Sequence, residues 1–182
     1  MAKNSSKRIV SPVGRLSFPA VFVPEVNQNN PGAPAKYSTV VVFDAETDIS
    51  EIEAIIAEAT LATFGDTSTS TKANLRNPIR DGLEKAHLGD PFVKGTKFVT
   101  VKSNFQPGIV GADLQPILNQ SEIYPGVFAR VQMHAYGYDQ NGNKGISLGL
   151  DNVQKIKDGG ALDGRADASS AFDAVDVDDL LA

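Results

Sequence analysis

Residues 124–157 read YPGVFARVQMHAYGYDQNGNKGISLGLDNVQKIK, and the way this stretch pairs with itself decides the fold. Asn141-Gly142 is a strong hairpin signal, because both central residues of a type I′ turn need positive φ. With those two at the turn, Asp139 faces Lys144, Gly137 faces Ile146, Ala135 faces Leu148 and Met133 faces Leu150. One face then carries Val127, Ala129, Val131, Met133 and Ala135 against Ile146, Leu148 and Leu150, which is a core face. The other carries Phe128, Arg130, Gln132, His134, Tyr136 and Tyr138, with Gly149, Ser147 and Gly145 opposite the last three. A slip of one residue would turn the apolar set to water, so the alternation itself selects this register.

The second face is chemically mixed. Aromatic rings interleaved with polar and basic side chains, and kept open by small cross-strand partners, form a surface on which bases could stack. Equally, Phe128, Tyr136 and Tyr138 could cover a second layer of core, although Arg130 is costly to bury unpaired. Periodicity alone leaves these readings balanced. Lys97 to Phe105 repeats the two-faced pattern, with Val99, Val101 and Phe105 on one side and Phe98, Thr100, Lys102 and Asn104 on the other.

Working outward, residues 1–8 form a basic arm. Ile9 to Val23 is strand-like but punctuated by Pro12, Gly14 and Pro19, with Leu16 and Phe18 expected inward. NQNNPGAPA (27–35) is a surface loop. The strand that follows ends in Val40-Val41-Val42-Phe43, too continuous for half exposure and expected to be buried on both sides. Ser50 and Glu53 make a capping-box pattern for a helix that places Ile52, Ile55, Ile56 and Ala59 on one face and ends near Phe64-Gly65. Residues 66–71 (DTSTST) read as a flexible loop, residues 75–90 as irregular, and residues 107–119 as a loop or broken strand. Short strands with one helix and no βαβ alternation predict a mainly β protein. The best match is an OB-fold-like antiparallel barrel of about five strands with one inserted helix; a small sandwich fits nearly as well.

Composition narrows the chemistry. Of 182 residues, 41% are hydrophobic and 21% charged, as in a soluble globular domain. The absence of cysteine removes disulfides, thiolate catalysis and Cys-based zinc sites. With only His87 and His134, a histidine-rich metal site is not expected either. No phosphate-cradling, nucleophile-elbow or HExxH pattern occurs. Asp139 to Asn143 imitates the start of an EF-hand loop, but Lys144 and Leu150 occupy the positions that need Gly and Glu. We therefore expect no catalytic residues, no metal and no cofactor. No apolar stretch approaches membrane-spanning length, so a soluble protein of the cytoplasm is expected.

The net charge of −5 conceals an asymmetry. Residues 158–182 contain seven Asp and one Arg, leaving 16 basic and 15 acidic residues in 1–157. The chain thus divides into a near-neutral domain (1–157) and a disordered acidic tail (158–182). Phe172, Val175, Leu180 and Leu181 give that tail apolar anchors that pure solvation does not require.

Four blocks carry a family resemblance: LSFPAVFVPE (16–25), ANLRNPIRDG (73–82), SNFQPGIVGADLQPI (103–117) and EIYPGVFARVQMHAYGYDQNGNKGISLGLDNVQKIKDGGALDGR (122–165). They resemble a family of small bacteriophage and prophage proteins that bind single-stranded DNA and destabilise the double helix. The hairpin with NGNKGI and the following LDNVQKIKDG is the most specific part. The resemblance implies an OB-fold body, sequence-tolerant binding to single strands during phage replication and recombination, and an acidic tail that contacts replication or recombination proteins. Better-known members end in an aromatic residue, whereas this chain ends Leu180-Leu181-Ala182.

With that resemblance, the face and charge arguments select Phe98, Phe128, Tyr136 and Tyr138 for base stacking. Arg130, Lys97, Lys102 and Lys144 are selected for phosphates, with Arg76 and Arg80 beside them. In the tail, Phe172, Asp173, Asp176, Asp178, Asp179, Leu180 and Leu181 are the expected partner-binding residues. A homodimer is compatible with the pattern. The rival reading is a non-catalytic β-rich phage structural or assembly protein, in which the aromatics form a subunit interface.

Overall fold

Asn141 (φ 51°) and Gly142 (φ 81°) both adopt positive φ and join β7 (Phe128–Gln140) to β8 (Asn143–Lys157). The structure, a computed structural model, describes residues 6–162 together with Phe172 and Ala174. Within the hairpin, Asp139 pairs with Lys144, Gly137 with Ile146, Ala135 with Leu148 and Met133 with Leu150, the register that alternation selects. Below Met133 the ladder shifts twice, and the first shift leaves Asp151 between Leu150 and Asn152 without a partner in register.

The hairpin closes a ring. β7 also pairs with β2 (Gly14–Glu25), β2 with β3 (Lys36–Phe43), β3 with β5 (Lys97–Ser103), and β5 with β8. Five strands in the order β2-β3-β5-β8-β7 thus form a closed barrel of OB-fold type. Closure depends on a parallel β5–β8 pair, so the barrel is not wholly antiparallel. Three short strands extend it: β1 (Arg8–Val10) on β7, β4 (Arg80–Asp81) on β5, and β6 (Gly108–Val110) on β8.

Val127, Ala129, Val131, Met133 and Ala135 are buried with Ile146, Leu148 and Leu150 in the barrel interior. Each large side chain removed from water there contributes roughly 1.5–3 kcal/mol. The Val40–Phe43 run is buried on both sides, as its continuity predicts. Val41 and Phe43 enter the main core, while Val40 and Val42 pack outside the barrel wall against Phe92 and Phe98. Helix α1 (Ser50–Phe64) seats Ile52, Ile55 and Ala59 in the core and ends at Gly65 in left-handed geometry (φ 70°). Ser50 does not cap it; the Ser50 amide instead donates to Asp48 Oδ1 at 2.9 Å.

Other expectations are corrected. Phe18 is not inward. A bulge between Ser17 and Ala20 reverses the alternation of β2, and Phe18 adopts φ 48°, a strain of about 1–3 kcal/mol for a bulky residue. Phe105 lies beyond the end of β5 and is exposed rather than aligned with Val99 and Val101. Residues 66–71 are not a plain loop, since they lead into a short helix, α2 (Thr69–Ala73), capped by Ser68. Residues 158–162 are still held to the domain. The Gly159 amide donates to Tyr124 Oη at 3.0 Å, the Leu162 amide to the Pro125 carbonyl at 3.1 Å, and Asp158 pairs with Lys155 at 2.8 Å. Of the expected tail contacts only Phe172 is described, and it is exposed; Asp173, Asp176, Asp178, Asp179, Leu180 and Leu181 lie outside the described residues. No helix among the described residues is long and apolar enough to cross a membrane.

Candidate nucleic-acid interface

On the outer face of the barrel, β5, β7 and β8 form the floor of a cleft of about 490 Å³ walled by residues 76–87. Six of the ten expected contacts converge on it: Arg76, Arg80, Phe98, Lys102, Tyr136 and Tyr138. Thr100 and Lys102 project from β5, and Tyr136 and Tyr138 from β7. Tyr136 is 42% exposed and Tyr138 half-buried, so neither ring belongs to a second core layer.

The wall is strapped to the hairpin through its backbone. The Arg76 amide donates to the Lys144 carbonyl at 3.0 Å, and the Ile146 amide donates back to the Arg76 carbonyl at 3.1 Å. Gly145 makes this approach possible. A Cβ there would stand 2.8 Å from both the Arg76 carbonyl oxygen and Tyr138 Oη. The small residue that leaves Tyr138 open therefore also admits the strap.

Most of the cationic charge in the cleft is not neutralised by a described carboxylate, although the Arg76 guanidinium donates to Asn143 Oδ1 at 3.2 Å. Arg76, Lys85 and Lys102 have no ion-pair partner among the described residues. Arg80 is engaged by Glu84, whose hydrogen bond raises the guanidinium pKa and lowers that of the carboxyl. Such a site can hold polyanions, with aromatic faces for flat rings beside them.

One of the six offers no ring face, and the other four candidates lie outside the cleft. Phe98, although part of the cleft floor, is only 3% exposed, with the Phe92 ring edge-on at 5.6 Å and Lys85 Nζ 5.6 Å from its centroid. It supports the floor and offers no open face, which corrects its assignment as a stacking platform. Phe128 is likewise occupied. Arg15 Cζ and Lys157 Nζ lie 5.5 and 4.8 Å from its ring centroid, and Gly159 packs beside the ring. Arg130 is bonded to Gln154 at 2.7 Å, outside the cleft. Lys97 lies around the corner, in a groove between α1 and residues 72–81 that shares Arg76 and Arg80 with the cleft. Lys144 is at the turn, 3.4 Å from Asp139. His134 is tied to Asp151 at 2.8 Å, with Arg8 at 3.3 Å on the same carboxylate.

Lys85, Asn77 and His87 also line the cleft, and nothing in the sequence pattern assigns them to it. They belong to an irregular segment, where no periodicity assigns a face. The interleaving of Arg76, Arg80 and Lys85 with turn signals is the only hint of a wall.

Three comparisons bear on this arrangement. A family model described as "Enterobacter phage Enc34, ssDNA-binding protein" matches residues 7–181. The putative protein p50 of Acyrthosiphon pisum secondary endosymbiont phage 1 is 29% identical over 163 residues, covering 85% of this chain and 86% of that protein. Among solved structures, the single-stranded DNA-binding protein from bacteriophage Enc34 in complex with single-stranded DNA superposes with a TM-score of 0.68 at 20% identity, over 85% of this chain and 88% of that one. The single-stranded DNA-binding protein encoded by bacteriophage T7 gives 0.62 at 16% identity, over 95% and 97%. The two structures share the fold with this chain, and the family match extends from the start of β1 through the acidic end. The chain belongs to the phage single-stranded DNA-binding protein family typified by that of Enterobacter phage Enc34.

Proposed function

We propose that the protein binds single-stranded DNA with little regard to sequence and without catalysis, using the cleft between the hairpin and residues 76–87. The observation that supports this most is the convergence of Tyr136 and Tyr138 with three cations that have no ion-pair partner among the described residues, on the outer face of an OB barrel. Bases stack on the two tyrosines. Arg76, Lys85 and Lys102 neutralise phosphates, joined by Arg80 when Glu84 is displaced, with Lys97 in the adjoining groove and Lys144 at the hairpin turn as outlying contacts. Preference for unpaired strands would destabilise duplex by mass action, which suits phage replication and recombination in the host cytoplasm. Domain and tail divide near Leu162, beyond which six Asp and one Arg follow. That acidic segment competes with DNA for the cleft and presents Phe172, Leu180 and Leu181 to replication proteins.

The test is titration of the full chain with oligothymidylate and with duplex at two salt concentrations. Single strands should bind more tightly, and log affinity should fall with log salt by about 0.7 per phosphate contacted. Equal affinity for duplex, or no binding at low salt, would refute the reading.

A further inference from the structure

The bulge in β2 puts Phe18 where an alternating strand would not. Leu16 is fully buried, so strict alternation would send the side chain of residue 18 into the core as well. Instead the backbone turns left-handed at Phe18, a conformation rare for a bulky side chain and concentrated at functional sites. Ser17 and Ala20 remain buried, and the ring emerges 51% exposed. Bulges re-aim side chains in this way.

The ring is aimed beside Lys85. Its Nζ lies 5.4 Å from the Phe18 centroid and 5.6 Å from that of Phe98, so one ammonium spans the gap between β2 and the cleft floor. Phe18 also lines an apolar pocket of about 260 Å³ with Leu88 and Phe92; Asp90, which lines it too, is paired with Arg15 at 2.8 Å. An aromatic surface left half open, an apolar floor and a cation shared with the cleft are what a stacked nucleotide requires. Phe98 lacks the first of these. We propose that Phe18 is a further base-stacking position, outside the cleft, reached by a strand that crosses the barrel from β7 toward β2 with a phosphate over Lys85. This rests on the reading of the cleft as a single-strand site and lengthens the path that site offers.

The experiment uses the full chain and oligothymidylates of increasing length across about 4–16 nucleotides, the range of OB-fold site sizes. Phe18→Gly suits the left-handed backbone, so its melting temperature should equal or exceed that of the unmodified protein. Its affinity for the longer oligonucleotides should nevertheless fall about tenfold, with the shortest unaffected. Phe18→Leu keeps an apolar side chain but no aromatic face and should lose the same affinity. The chain has no tryptophan, so Phe18→Trp supplies a single indole whose emission should be quenched by long oligonucleotides. Unchanged affinity of Phe18→Gly and Phe18→Leu at every length, or indole emission unmoved by DNA that is bound, overturns the assignment. Failure of the unmodified protein to bind single strands would instead remove the underlying functional reading.

Discussion

The outer face of the hairpin has two halves with the same alternation and opposite fates. Near the turn, Tyr136 and Tyr138 face Ser147 and Gly145, which have too little side chain to occupy them. At the root, Arg130 and Gln132 face Gln154 and Asn152, and each pair closes a hydrogen bond, at 2.7 and 2.8 Å. Phe128 is covered by Arg15 and Lys157 beside the packed residues 158–162. An aromatic on such a face becomes a platform only where its neighbours leave it unsatisfied. The root pairs its polar groups with one another and fastens residues 158–162; the tip keeps an open surface beside Arg76, Lys85 and Lys102, which have no carboxylate partner among the described residues.

The largest effect should separate the halves directly. Tyr136→Ala combined with Tyr138→Ala should weaken single-strand binding by about 2–6 kcal/mol while leaving a cooperative fold. Phe128→Ala should do the reverse, costing about 2 kcal/mol of stability, roughly 4–8 °C in Tm, with affinity unchanged. Calorimetric melts and fluorescence titrations on the same samples measure both. Loss of affinity in the Phe128 variant would return the root to the binding site.

Next in size is the strap. Gly145→Ala forces a methyl group against the Arg76 carbonyl and Tyr138 Oη, contacts of 2.8 Å that involve rigid backbone. Stability should fall by about 1–3 kcal/mol. Affinity should fall by roughly tenfold, the equivalent of one stacked base, because wall and platform separate together. A variant that loses stability but binds normally would show that the wall's position is immaterial to DNA.

How much of this could be read beforehand depends on where the neighbours come from. Pairing between Met133 and Leu150 is legible because period-two patterning and an Asn-Gly turn leave a single register. Burial of Phe98 is not, because its cover, Lys85 and Phe92, arrives from a 3-10 helix (Gly82–Leu88) and the irregular turn after it, neither of which has a periodicity to read. Phe128 looks like Tyr138 in the alternation; the arrival of Arg15, Lys157 and Gly159 at its ring distinguishes them. Phe18 fails for a third reason, since a bulge cancels the alternation on which the inward assignment rested. Local pattern finds strands and faces, and the covering of a face is decided by distant chain.

A smaller effect tests whether charge in the open half is balanced against itself. Glu84 is the sole carboxylate among the cleft's described lining residues, and it holds Arg80. Glu84→Gln removes a negative charge facing the phosphates and frees the guanidinium, so affinity should rise a few-fold and the salt dependence should steepen. Arg80→Gln in the same background should cancel the gain. If Glu84→Gln binds no better than the unmodified protein, Arg80 does not reach the DNA.

The smallest effect concerns what steadies the strap upstream. Asp66 accepts from the Ser68 and Thr71 hydroxyls at 2.6 and 2.7 Å and from the Ser68 amide at 2.8 Å. These bonds, Ser68's first, lower its pKa to about 2. A carboxyl with a lower pKa folded than unfolded adds stability that is fully present above the ordinary value near 4 and is lost as pH falls through the folded value. The start of α2 should therefore loosen only as pH approaches about 2, and Asp66→Asn should abolish that acid transition. At the root, Asp158 is lowered in the same direction by Lys155 and Tyr124. Both ends are thus anchored by exposed carboxylates, and neither anchor changes near neutral pH. Chemical shifts of Ser68 and Thr71 followed during acidification decide the point. A midpoint near 4 would mean that the Asp66 cluster is not formed, leaving the wall of the cleft to depend on the Arg76–hairpin bonds alone.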